Sequence, residues 1–152
     1  MSVIRFKKQV SAGRFTICSL YDDRQLVING FRTKFIKPLD ITTNESSLKL
    51  YGFIGDDEFD VNPVDGIVFI GRNKNCSFRI NEKSVSRQHC VIVYRWIKGV
   101  ATPFVFDLNS KNQTYLNTDP VEHSKYVELK NNDVLKFGNS NASIVVLGKD
   151  SV

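Results

Sequence analysis

The chain has 152 residues, 41% hydrophobic and 24% charged, with a net charge of +5. That composition suits one folded domain, or one domain plus an ordered extension, and argues against disorder. No apolar run approaches the ~18–20 residues of a membrane-spanning helix, and no apolar stretch follows the cationic start Met1–Lys8, which argues against a secretory leader.

Chain order begins with a strand-like alternation at Phe15, Ile17 and Ser19. Leu26-Val27-Ile28, Asn29-Gly30 and Phe31-Arg32-Thr33 then read as a hairpin, because Asn-Gly supplies the positive φ angles of a tight type I′ turn. Further short strands are expected at Leu48–Phe53, Gly66–Ile70, Cys76–Ile80, Cys90–Trp96 and Pro103–Asp107. The series continues with Thr114–Leu116, Val127–Leu129, Val134–Phe137 and Ala142–Leu147. Turn formers such as Asn62-Pro63, Asn73–Asn75, Lys98-Gly99, Asn109–Asn112 and Asn131–Asp133 separate them. The acidic run Asp56–Asp60 reads as an exposed loop dividing a less legible N-terminal part from a denser C-terminal part.

No stretch carries a sustained helical stripe. Many short strands at regular spacing predict an all-β, two-sheet antiparallel sandwich. Residues 1–46 are expected to form an N-terminal β extension, 47–148 the sandwich domain and 149–152 a tail.

The basic excess is uneven. Residues 1–64 hold 9 Lys+Arg and 8 Asp+Glu, whereas residues 65–152 hold 12 and 8. An anionic partner for the second half fits this, as does a solvated mixed-charge surface. A nucleic-acid partner is disfavoured, because there is no basic run, no groove-reading helix and no aromatic ribonucleoprotein motif. Cys18, Cys76 and Cys90 form no Cys-x-x-Cys pair, so neither a disulfide framework nor a zinc site is expected, and a reducing compartment is. His123, in a polar hairpin over residues 118–125, is expected to be exposed and to ligate no metal, and Trp96 to pack in the sandwich or, on one face with Tyr94, to serve an interface. No cofactor and no membrane partner are expected.

Three blocks sit where strands meet loops: Gly71-Arg72, then Ser84-Val85-Ser86-Arg87-Gln88-His89-Cys90, then Asp107 through Asn117. Ser86, His89 and Asp107 are the residue types of a hydrolase triad, but the Gly-x-Ser-x-Gly elbow is missing and catalysis is not expected. In order and spacing the blocks resemble the forkhead-associated (FHA) family, whose pattern is Gly-Arg, Ser-x-x-His, Asn-Gly-Thr and Gly-Asp. Here the series reads Gly71-Arg72, Ser86-Arg87-Gln88-His89, Asn112-Gln113-Thr114 and Asn132-Asp133, over roughly residues 47–148.

The resemblance implies a phosphothreonine-dependent binding module rather than an enzyme, with a phosphothreonine-containing protein or peptide as partner. It gives phosphate contact to Arg72, Ser86, Arg87 and Lys111, and hold of the peptide backbone to Asn112. A dianionic phosphate suits the planar donor fork of an arginine and the hydroxyl of a serine. Ser84 and Asn112 would read the peptide beyond the phosphate, and Gly71, His89 and Thr114 would support the loops, as would Asp107 and Ser110. The Ser-Val-Ser-Arg-Gln-His-Cys and Thr-Tyr-Leu-Asn strings resemble the FHA modules linked to fungal checkpoint and meiotic Ser/Thr kinases, which implies an intracellular, nuclear setting. The kinase motifs themselves are absent from these residues. Three departures from the family pattern stand out: Gln113, Thr118 and Asn132 occupy positions where the family has glycine. The competing readings are a phosphate-independent interaction scaffold with degenerate loops and a basic nucleic-acid binder.

Overall fold

The structure, a computed structural model, describes residues 24–148. The strand expected at Phe15–Ser19, the charges Lys7, Lys8 and Arg14, Cys18 and the tail 149–152 lie outside the described residues. Contacts divide the chain into two compact units between Leu39 and Asp40.

In the first unit, β1 (Gln25–Ile28) and β2 (Phe31–Ile36) form the expected antiparallel hairpin. Its turn is Asn29 (φ 50°) and Gly30 (φ 80°), the two left-handed residues of a tight hairpin turn. Along β2, Thr33 and Phe35 are buried while Arg32, Lys34 and Ile36 are exposed, the period of two of a strand with one covered face.

The second unit is a sandwich of two sheets. The strands are β3 (Leu48–Ile54), β4 (Asp57–Val61), β5 (Ile67–Gly71), β6 (Phe78–Arg79), β7 (Cys90–Ile97) and β8 (Val100–Asp107). They are followed by β9 (Thr114–Leu116), β10 (Asp119–Pro120), β11 (Tyr126–Glu128), β12 (Val134–Phe137) and β13 (Ala142–Gly148). One sheet runs β10-β9-β12-β13-β3-β4 and the other β11-β8-β7-β5-β6. All pairings are antiparallel except β5 with β6, which is parallel. The acidic run expected as a loop is instead the turn at Gly55 and the edge strand β4, paired to β3 through Gly52↔Phe59. Charged residues on a sheet edge discourage strand addition, so an acidic strand is consistent with that place.

Inward-facing residues of both sheets make one core: Leu50, Val68, Ile70, Cys90, Ile92, Val105, Leu135, Phe137, Ile144 and Val146 are all 5% exposed or less. The alternation on β8, where Ala101, Pro103, Val105 and Asp107 are buried, follows the strand period. Trp96 departs from expectation at 44% exposure. It pairs with Ala101 beside the Lys98-Gly99 turn, at the tip of the β7–β8 hairpin, where the buried core has ended. Two residues earlier on the same face, Tyr94 is buried and donates its hydroxyl to Leu48 O. On the opposite face Arg95 forms a bidentate pair with Asp40 and lies over the Tyr126 ring.

Candidate functional site

The loops after β5, before β7 and after β8 meet at one end of the sandwich. Gly71 is required there by space. A Cβ on it would lie 2.3 Å from Arg87 O, so the loops could not close on a larger residue. With glycine in place, Arg72 N–H donates to Ser86 O at 2.9 Å and Asn73 N–H to Arg87 O at 3.1 Å, joining the first two loops by main chain. Arg72 is half-buried, and its Nε donates to Val85 O at 3.0 Å. That bond fixes the guanidinium plane and leaves the two terminal NH2 groups as the free part of the fork.

The third loop is tied to the second through Ser86 and Ser84. Lys111 N–H donates to Ser86 Oγ at 3.0 Å, and Asn112 Nδ2 donates to Ser84 O at 2.9 Å. Ser86 Oγ therefore accepts from within the protein and keeps its own proton to give away. Asn112 retains its side-chain oxygen and a second amide hydrogen. Ser84 Oγ accepts the Asn139 N–H at 3.0 Å, which draws in the β12–β13 turn. The Arg87 and Lys111 side chains are exposed.

Beneath the loops lies a buried polar layer. His89 is fully buried; its Nδ1 accepts the Ser86 N–H at 3.1 Å, so the ring proton sits on Nε2 and is donated to Gln113 O at 3.0 Å. Burial lowers its pKa below the ordinary 6.5, against the raising influence of the Gln113 carbonyl, in keeping with a neutral ring. Asp107 is also fully buried. Its carboxylate accepts from Ser110 N–H, Ser110 Oγ, Thr114 Oγ1 and the His123 ring. Burial alone would raise its pKa, but the Ser110, Thr114 and His123 bonds outweigh that and hold it below the ordinary carboxylate value. His89, Thr114, Asp107 and Ser110 thus lie under the loops, and His123, although on the surface, is bonded to the same buried carboxylate.

The three positions that depart from glycine are all left-handed: Gln113 at φ 74°, Thr118 at 98° and Asn132 at 75°. Gln113 O, which accepts from both His89 and Gly138 N–H, shows what its backbone twist accomplishes. Val85, Asn139 and His123 were not singled out by sequence as partners of the loops. Val85 contributes through its carbonyl and Asn139 through its amide, neither of which has a residue signature. For His123, the Asp107 partner sixteen residues earlier comes close only when β8 and β9 fold.

Among the described residues, no three His, Cys, Asp or Glu side chains gather as metal ligands, and no helix is long and apolar enough to cross a membrane. A cleft of about 530 Å3, lined by Thr42, Ser46, Tyr51, Asp60 and Tyr94 among others, lies toward the start of β5, away from the three loops.

The fold and the loop end together define a β-sandwich domain that carries hydrogen-bond donors and exposed positive charge on its loops at one end. Residues 68–138 match the family model described as FHA domain, and the chain carries an FHA domain. Such a domain is a binding module and not a catalyst. A probable serine/threonine-protein kinase of Dictyostelium discoideum is 31% identical over 138 residues, 82% of this chain and 9% of the relative. Smad nuclear-interacting protein 1 of Mus musculus is 31% identical over 134 residues, 80% of this chain and 35% of the relative. The chain thus spans about a third or less of the curated relatives it matches first. Among solved structures, full-length yeast Pml1p is similar with a TM-score of 0.63 at 24% identity, covering 75% of this chain and 99% of that one. The N-terminal FHA domain of Saccharomyces cerevisiae Rad53p, solved with a phosphothreonine peptide, has a TM-score of 0.57 at 19% identity, covering 68% and 95%. At those identities the structural likeness is one of fold.

Proposed function

We propose that the three-loop end binds proteins phosphorylated on threonine, and that the chain recruits such partners without catalysis of its own. The observation that carries this is the Lys111 N–H bond to Ser86 Oγ, beside an Arg72 whose Nε is already engaged. One hydroxyl proton and two guanidinium NH2 groups remain to meet the three acceptor oxygens of a phosphate. Arg87 and Lys111 add charge from the exposed rim. Asn112, with its carbonyl oxygen uncommitted, holds the peptide main chain, and Ser84 and Asn112 flank the residues beyond the phosphate.

The Rad53p domain, an FHA domain that takes a phosphothreonine peptide, supports this reading. A nuclear setting is supported by the relative named as a Smad nuclear-interacting protein, and a link to a kinase by the relative named as a probable serine/threonine-protein kinase.

Titration with matched phosphorylated and unphosphorylated threonine peptides tests the function. Micromolar binding of the phosphorylated form is expected, because one phosphate and a few extended residues make a small interface. An Arg72→Ala protein that stays folded should lose it. Equal binding of both peptides would favour the phosphate-independent scaffold, and salt-sensitive binding of oligonucleotides the nucleic-acid reading.

A further inference from the structure

We propose that His123 is a positioning residue for the peptide-binding loop, acting through Asp107 from outside the loop cluster; this rests on the phosphothreonine reading above. Five of the nine non-glycine residues with positive φ among the described residues fall between 109 and 124: Asn109, Gln113, Asn117, Thr118 and Ser124. A stretch that departs so often from the preferred backbone region persists only where its surroundings over-determine it. Asp107 is the point where those constraints converge. Its side chain receives Ser110 twice and Thr114 once, while its main-chain carbonyl receives Ser124 N–H at 2.9 Å. Asp107 and His123 also form a parallel β-bridge, and Val121 N–H donates to Thr114 O.

His123 completes this set. An ionised carboxylate only accepts, so His123 Nδ1 carries the proton and donates it to Asp107 Oδ2. Oδ2 is also the oxygen that accepts Ser110 N–H, the first amide of the turn leading to Lys111 and Asn112. The ring's side chain is 36% exposed whereas that of Asp107 is fully covered, so His123 is the accessible end of a buried connection to the loop. Without its donor, one oxygen of a buried carboxylate keeps a single partner, and the Asp107 side chain that holds Ser110, at the start of the turn to Lys111 and Asn112, is less firmly placed.

The test compares wild type, His123→Ala and His123→Asn. The asparagine amide nitrogen can stand where Nδ1 stands and donate the same bond. Two quantities are read: affinity for a pool of phosphothreonine peptides with degenerate flanks, and hydrogen exchange of the Lys111 amide in the free protein. His123→Ala should weaken affinity about fivefold to tenfold, the range of one lost hydrogen bond, and speed Lys111 exchange. His123→Asn should recover both. Wild-type values of both in His123→Ala, or no recovery in a folded His123→Asn, would overturn the assignment. If wild type ignores the phosphate but Lys111 exchange follows the expected pattern, the phosphothreonine reading fails while the link from His123 to the loop stands. If peptide affinity and exchange both stay at wild-type values in a protein that does read phosphate, only the His123 assignment fails.

Discussion

Lys111 N–H and Ser86 Oγ, from loops 25 residues apart in sequence, meet at 3.0 Å. The bond ties two loops together and orients a hydroxyl in one step. Replacing Ser86 by alanine therefore removes the proposed phosphate donor and leaves the Lys111 amide without its acceptor. We expect Ser86→Ala to weaken phosphopeptide binding by at least about tenfold and to lower unfolding stability by about 1 kcal/mol. Calorimetric titration and urea denaturation check the two effects separately. Undiminished affinity would remove Ser86 from the contact set.

Glycine at Gln113 or Thr118 is expected to stabilise the fold. Both residues are held at positive φ, and Thr118 is β-branched at 98° in a two-residue turn with Asn117. Thr118→Gly creates the Asn-Gly pair that such turns favour and should add about 1 kcal/mol after the entropy cost of glycine, with Gln113→Gly close behind. Gly71→Ala should act the other way and strongly, since its Cβ has no room against Arg87 O. Midpoints of chemical denaturation measure all three.

Acid should destabilise the protein in two stages. The folded His89 pKa lies below its ordinary 6.5, so the unfolded chain takes up the proton first. Its contribution is complete above pH ~6.5 and falls as pH drops through the interval down to the folded value, by at most about 1.4 kcal/mol per pH unit. The Asp107 pKa is likewise depressed, so its contribution holds above its ordinary 3.8 and is lost as pH falls through the lower folded value. Protonating His89 on Nδ1 also breaks the Ser86 N–H bond, which links the first stage to the binding loops. Unfolding free energy measured from pH 8 to pH 4 should show the first decline beginning near 6.5, and a His89→Gln protein should lack it.

Cys76 and Cys90 should resist alkylation in the native state. Burial pushes the Cys76 thiol up to about 12 and the fully enclosed Cys90 thiol well above its ordinary value, so neither supplies thiolate near neutrality. Peptide mapping after brief iodoacetamide treatment should find both unmodified in native protein and modified in urea. Rapid native labelling at Cys76 would show that the loop beside Arg87 opens.

Features that depend on short range are legible in the residue order. Alternating apolar residues and turn formers marked most strands of the sandwich, and Asn29-Gly30 marked a hairpin whose two φ values are positive. Gly71-Arg72, Ser86 and Asn112 could be picked out because particular residue types recur there in a fixed order. The rest depends on which atoms arrive from far along the chain. The acidic run became an edge strand once β3 supplied a partner, and Trp96 stayed exposed because the core stops short of the hairpin tip. The orientation of the Ser86 hydroxyl came from a main-chain amide in another loop, and the His123 bond from a carboxylate that β8 buries. Main-chain donors have no residue signature, and a surface histidine acquires its partner only when the strands around it are in place.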